Sequence, residues 1–512
     1  MTEPAAWRAP LLGNRFLVAV ATMLATVMQV IDQTIANVAL PRMQGGLAAT
    51  QDQITWVLTS YIIAAAIAMP LTGWLSGRFG RKRIFLLSVV GFTVASVCCG
   101  AAQSLAQMVA FRLLQGVCGA ALVPLSQAIL LDVFPREQRG PAMAFWGVGI
   151  MAGPILGPTL GGWLTDNWDW RWVFYINLPV GALAWLGIVL SIEETALDRD
   201  RPFDFFGFAM LSLGMGGLQM MLDRGELKDW FSSREIQVEA ALAALGFYSF
   251  IVHSLTARHP FLHPQLFRDR NLVAGLIVSF VVGIMLLASA ALLPPLLQGL
   301  MNFPVMTTGM VMAPRGIGTA IVMVIAGRLV QRTDARWIIF VGFLLTAYSL
   351  WDMAQRFSLQ MDSWSVIWTG FVQGLGLGLV FPPLSTIAFA TLPPALRTEA
   401  AGIFTLARSL GSSIGVSVVM ATLTANIQVV HASVAAHVTP YLHRLALPPL
   451  WNPHSAAGIA ALNLEVTRQA AMVAFIDDFL LMMVVTLAAA PLIALMRNPR
   501  RVAVPAGANV VE

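Results

Sequence analysis

"GWLSGRFGRKRIF", residues 73–85, returns 254 positions later as "GRLVQRTDARWII", residues 327–339, with Gly73, Leu75 and Arg78 opposite Gly327, Leu329 and Arg332. The next stretch repeats at a shift of 258. There Gln115-Gly116 stands opposite Gln373-Gly374, Pro124 opposite Pro382, Pro135 opposite Pro393 and Arg139 opposite Arg397. One segment further on, Gly153 and Gly157 match Gly411 and Gly415. Any one match is weak, but colinear matches in this order mark two copies of one unit, and such a repeat decides the architecture before any motif does.

The unit is built for lipid. Of 512 residues, 57% are hydrophobic and 11% charged, with mean hydropathy +0.74. A soluble domain carries about 25% charged residues. Apolar runs of about 20 residues, each able to cross a ~30 Å hydrocarbon layer, recur from end to end. They fall at roughly 16–40, 54–75, 84–103, 106–130, 141–165, 172–192, 204–222, 236–256, 272–297, 305–330, 337–353, 364–391, 400–424 and 476–496. The chain therefore reads as an all-α polytopic membrane protein with about fourteen transmembrane helices. Residues 1–200 form one six-helix bundle, 201–258 an inserted pair, and 259–512 a second bundle with a long outer loop at 425–475. Duplicated halves around a central cavity are a transporter architecture, with the site near the bilayer midplane.

The charge of +5 does not point to nucleic acid, because the basic residues collect in short loops. The side of the termini holds 20 Lys and Arg, the opposite side 8, and the spans 3. That excess puts both termini in the cytoplasm. The first apolar run is too long for a signal-peptide core and reads as the first span. Cys98, Cys99 and Cys118 lie in apolar runs as small hydrophobes, with no disulfide or metal spacing. Four of the seven histidines, His431, His437, His443 and His454, lie in the outer loop. Their spacings do not put ligands on one helical face, so a solvated or partner-contacting hairpin is expected there and no metal.

Repetition permits a subtraction: what both halves share is scaffold, and what one half keeps to itself is a candidate for function. Asp32, in "ATVMQVIDQTIANVALP" (25–41), has Met285 as its counterpart, and Arg112 has Gly370. An ionised side chain in hydrocarbon is costly and faces a protein interior or a water-filled cavity. Asp32 lies about six residues from the outer end of span 1, ~9 Å below that interface, and Arg112 enters span 4 to a similar depth. The two can meet, either as a static ion pair locking two helices or as a site that takes up and releases a proton. Gly149, Gly153, Gly157 and Gly161 recur every four residues on one face of span 5, where small residues allow close helix contact. Pro154 and Pro158, in step with them, favour a bend or a seal. Arg315 and Arg408 are charges private to the second half. With Gln29, Asn37 and Gln115 they are assigned to a substrate cavity between the halves.

These stretches together resemble the major facilitator superfamily. "GWLSGRFGRKR" is similar to its signature loop between spans 2 and 3, "RLLQGVCGAALVP" to its basic span-4 motif, and "AGPILGPTLGG" to the antiporter motif of span 5. "IDQTIANVALP", "WRWVFYINLPVG" and "LDRGELKDWFSS" extend the likeness to the fourteen-helix drug:proton antiporters of EmrB/QacA type. The resemblance implies proton-driven export of hydrophobic or amphipathic toxic compounds from the inner membrane, with no cofactor. It implies coupling through Asp32 and Arg112 and a cytoplasmic gate of Gly73, Arg78, Gly80, Arg81 and Asp132. Exporters of this type also work with a periplasmic EmrA-type adaptor and a TolC-type outer-membrane channel. The usual loop aspartate is Gly77 here, which shifts the gate onto Arg78, Arg81 and Asp132. Alternatives are export of one dedicated metabolite and proton-coupled uptake. No nucleophile, base or metal-ligand set for an enzyme lies within a span, and no G-x-x-x-x-G-K-[ST] loop for a nucleotide-driven pump occurs.

Overall fold

A computed structural model of the chain describes residues 15–195, 197, 202–437, 451 and 455–497. Its secondary structure is helical throughout, and no strand occurs among the described residues. In lipid every backbone polar group must be satisfied within its own segment, which uninterrupted apolar runs achieve as helices. The first unit comprises α1 (Arg15–Gly46), α2 (Gln51–Ile54), α3 (Trp56–Ala68), α4 (Leu71–Phe79), α5 (Arg81–Ala101), α6 (Leu105–Gly119), α7 (Leu122–Val133), α8 (Arg139–Asn167), α9 (Trp172–Tyr175) and α10 (Asn177–Ser191). The inserted pair is α11 (Phe205–Arg224) and α12 (Arg234–Thr256). The second unit follows the short α13 (Pro264–Arg268). It comprises α14 (Arg270–Pro294), α15 (Val305–Arg332), α16 (Ala335–Arg356), α17 (Ser363–Ala388), α18 (Arg397–His437) and α19 (Ala456–Ala489).

Twelve helical segments are long and apolar enough to cross a membrane, and α3 with α4 makes a thirteenth when the bent pair is taken as one span. The 29-residue α8 supplies a further column of membrane length. Prolines set the breaks. The α3–α4 axis bends by 57° at Pro70. Span 4 divides at Ala120–Ala121, four residues before Pro124, whose missing N–H leaves the Ala120 carbonyl without its helical donor.

Two expectations need correction. Span 1 does not stop at Pro41; the helix carries that proline inside it and runs on to Gly46. Asp32 is thus 14 residues, ~21 Å, from the end of the helix. The helices also extend past the bounds expected for spans 13 and 14, since α18 continues to His437 and α19 begins at Ala456. His443 and His454 lie outside the described residues.

Packing repeats with the sequence. A Cβ on Gly161 would meet Ile35 Cγ1 at 2.8 Å, so α8 presses on α1; in the second unit a Cβ on Gly415 would meet Ile284 Cα at 2.9 Å, so α18 presses on α14 in the same way. A Cβ on Gly116 would strike the Tyr61 carbonyl at 2.5 Å, and one on Gly374 would strike that of Arg315, which seats α6 on α3 and α17 on α15. Helix α11 of the inserted pair lies against both units. Gln219 Nε2 donates to Ser413 Oγ at 3.1 Å and Ser417 Oγ to the Leu222 carbonyl at 2.8 Å, while Thr59 of α3 binds Asp223.

Candidate functional site

Asp32 is fully buried, and three side chains from two other helices, α6 and α10, close on it. Arg112 Nη1 donates to Oδ2 at 2.6 Å; Gln115 Nε2 and Asn177 Nδ2 each donate to Oδ1 at 2.9 Å. Positions 112 and 115 share one face of α6 because residues three apart are neighbours on a helix. Arg112 is itself fixed: its Nε donates to the Val57 carbonyl at 2.9 Å, Nη1 to Gln115 Oε1 at 2.7 Å, and its guanidinium lies 4.4 Å from the centre of the Tyr61 ring. Asn177 also donates to Ser96 Oγ at 2.9 Å, and that hydroxyl donates to the Phe174 carbonyl. The carboxylate thus has a cation and two amide donors around it. A buried pair of this kind holds firmly while both charges are present, and removing one partner costs about 3–5 kcal/mol.

The glycine face of α8 rests on α1 alongside this cluster. A Cβ on Gly149 would meet Met23 Cγ at 2.5 Å; one on Gly153 would collide with Val30 and one on Gly157 with the Thr34 side chain. Thr34 Oγ1 lies 3.0 Å from the Gly153 carbonyl. Helix α8 thus bears directly on the turns of α1 that flank Asp32. The side chains of Pro154 and Pro158 lie outside those described.

At the end of the bundle that carries the basic loops, the two units are locked together. Asp132, at the end of α7, binds Arg81 of its own unit through Oδ2 and Arg397 of the other through Oδ1. Arg81 Nη2 reaches across to the Pro394 carbonyl at 2.8 Å. Gly73 permits the approach of α18, for a Cβ there would stand 2.7 Å from Glu399 Cβ. Gly80 has φ +96°, left-handed backbone that suits glycine. Arg78 lines a cavity of about 760 Å³ together with Gly77, Asp132, Arg397 and Glu399. Nothing lies within 4 Å of where a Cβ on Gly77 would sit. Sequence reasoning treats Arg397, which pairs with Asp132, as repeated scaffold, because its partner comes from the other unit.

The remaining expectations divide. Gln115 is buried in the Asp32 cluster. Gln29 is buried with its Oε1 unpartnered, and Asn37 is exposed; with Gln33 between them they form a polar stripe at four-residue spacing. Gln33 Nε2 lies 3.5 Å from the Tyr61 hydroxyl. Arg315 is buried in the second unit, its Nη2 donating to the Leu286 carbonyl at 2.9 Å, and the Arg408 guanidinium lies 5.1 Å from the centre of the Phe381 ring. Sequence reasoning missed Asn177, whose only signal was a lone amide in the apolar "VFYINLPVG". No group of three or more His, Cys, Asp or Glu able to hold a metal ion occurs among the described residues.

A duplicated helical bundle, sealed at one end by ion pairs between its halves and holding a buried charge cluster in one half, defines a multi-pass membrane transporter. The chain belongs to the Major Facilitator Superfamily, whose family model matches residues 22–416. It is 36% identical over 466 residues to the multidrug export protein EmrB of Escherichia coli K12, covering 90% of this chain and 89% of that one. It is 37% identical over 433 residues to the multidrug export protein EmrB of Haemophilus influenzae, covering 84% of each. The fatty acid resistance protein FarB of Neisseria gonorrhoeae is 35% identical over 482 residues, covering 93% of this chain and 95% of that one. Among solved structures, the proton:xylose symporter XylE superposes with TM-score 0.61 at 14% identity, covering 94% of this chain and 95% of that one. The likeness to XylE concerns the fold alone.

Proposed function

We propose that the protein is a proton-driven exporter of hydrophobic or amphipathic toxic compounds in a bacterial inner membrane, with both termini cytoplasmic and no cofactor. The observation that carries the reading is Asp32: a carboxylate buried in α1, bound by Arg112, Gln115 and Asn177, on the helix that the glycine face of α8 touches. Relatives named for multidrug export, related along nearly the whole chain, support the choice of substrate class. The excess of basic residues in the loops on the side of the termini supports the orientation.

In this reading a proton reaching Asp32 neutralises the carboxylate and weakens its hold on Arg112. The amide donors Gln115 and Asn177 accommodate both the charged and the neutral group. The change at α1 passes to α8 through the contact at Gly153, Gly157 and Thr34, and so to the seam between the halves. Asp132 with Arg81 and Arg397 closes the cytoplasmic end while the site faces outward. A periplasmic adaptor and an outer-membrane channel complete the export route.

The test is uptake of a compound panel into everted membrane vesicles, with and without an uncoupler of the proton gradient. Accumulation that the uncoupler abolishes is the expected result. Accumulation that persists without a gradient would overturn the reading.

A further inference from the structure

The second unit holds two cations inside the membrane with no acid beside them. Arg315 lies 10 residues into α15 and Arg408 11 residues into α18, each ~15 Å or more along a membrane-spanning helix. Helices α14, α15 and α17 contain no Asp or Glu, and α18 only Glu399 in its first turn, beside Gly73. On the flanking helices, Asp352 is held by Arg356 at 2.6 Å, Asp478 by Thr422 Oγ1 at 2.7 Å and Glu465 by Gln469 Nε2 at 2.8 Å, while Asp477 is exposed. Arg315, 9% exposed, has one hydrogen bond among the described residues, to the Leu286 carbonyl. Arg408 has its contact with the Phe381 ring.

Duplication explains what was lost. The shift of 254 puts Arg315 where the first unit has Tyr61, and the two backbones carry the same packing against Gly374 and Gly116. In the first unit the cation at this level is Arg112, stacked on Tyr61 and paired with Asp32. In the second, Arg112 is replaced by Gly370 and Asp32 by Met285. The cation has moved one helix across, and its acid has gone. Gly370 leaves room: the nearest neighbour to a Cβ placed there is Arg315 Cβ, at 3.7 Å.

An unpaired guanidinium in a membrane interior is costly, and such residues mark substrate or ion paths. Its planar fork matches a carboxylate through two parallel hydrogen bonds. Beside Arg408 stands an aromatic wall, Phe381 of the second unit with its ring centre 5.9 Å from that of Trp146 of the first. Acid recognition and an apolar surface therefore meet at the seam between the halves. Building on the exporter reading, we propose that Arg315 and Arg408 form a subsite for the acid group of amphipathic organic anions, chiefly carboxylates, whose apolar body lies against Phe381 and Trp146.

The probe pair is 11-(dansylamino)undecanoic acid and its primary amide, which differ in charge and little in shape. Binding to the purified full-length protein and export from reconstituted vesicles are both measured. Wild type is expected to prefer the acid in both assays. Arg315→Gln and Arg408→Gln should each lower the acid-to-amide ratio at least tenfold, with Arg315→Lys keeping part of it. The melting temperatures of the Gln variants should equal or exceed that of wild type, because an unpaired buried charge is removed. An unchanged ratio, or loss of stability in the Gln variants, overturns the proposal. If wild type binds the acid in an arginine-dependent way but exports neither probe nor any panel compound, the exporter reading fails and the subsite stands. If it exports panel compounds yet treats acid and amide alike, the subsite fails and the exporter reading stands.

Discussion

Asp132 and Arg397 belong to different halves of the molecule and share one carboxylate oxygen contact, while Arg81 holds the other oxygen of the same group. One acid thus bridges two cations across the seam. Around it the backbones of α8 and α15 touch, with a Cβ on Gly140 placed 2.5 Å from the Gly327 carbonyl.

Asp132→Asn should therefore unlock this end. Two guanidiniums would face each other without their shared acid. A cysteine placed at Ala144, which packs on Gly327, should react several-fold faster with an impermeant maleimide from the basic side than in the parent, in a background lacking Cys98, Cys99 and Cys118. Equal rates would assign closure to the helix contacts alone.

Asp32→Asn keeps shape and hydrogen-bonding capacity but fixes the site in one protonation state. Substrate-evoked proton flux in reconstituted vesicles should disappear while substrate binding survives, and Asp32→Glu should retain some flux with a shifted pH dependence. A purely structural ion pair makes a different forecast. Asp32→Asn would strand Arg112 at a cost of about 3–5 kcal/mol, and adding Arg112→Gln would restore folding and transport together. Persisting proton coupling in Asp32→Asn would remove Asp32 from the coupling step.

Gly157 meets Thr34 so closely that even one methyl group has no room. Gly157→Leu should abolish export with normal abundance in the membrane, and Gly157→Ala should reduce it in part. Thr34→Ala, by shortening the facing side chain, should recover much of the Gly157→Ala loss. Wild-type export by Gly157→Leu would refute the close contact of α8 and α1 as a requirement.

Topology can be checked without substrate. The distribution of basic residues puts the connection between α18 and α19 outside the cytoplasm, so a reporter fused at His443 should behave as periplasmic. A cytoplasmic signal there would invert the orientation.

Much of this was legible in the chain. The repeat exposed Asp32 and Arg112 as charges without counterparts, and four-residue spacing exposed the glycine face. Asn177 and Gln115 escaped as partners of Asp32 because their meeting depends on how three helices cross, which no local pattern carries. Arg397 escaped for the same reason, its acid being 265 residues away. The end of span 1 was misplaced because proline stops helices in water, whereas neighbouring helices tolerate it in membranes. The extensions of α18 and α19 escaped because hydropathy marks apolar runs, and a helix continuing through polar sequence carries no such mark.

Helix α18 runs 41 residues without interruption, ~62 Å, from Arg397 at the sealed end to His437 beyond the opposite face. A rod of that length acts as a lever. A rigid-body rotation of about 15° about its middle swings each tip by roughly 8 Å in opposite directions. If release of Arg397 from Asp132 were accompanied by such a rotation, it would displace His431 and His437 at the other end, carrying the opening of the seal to whatever touches those tips.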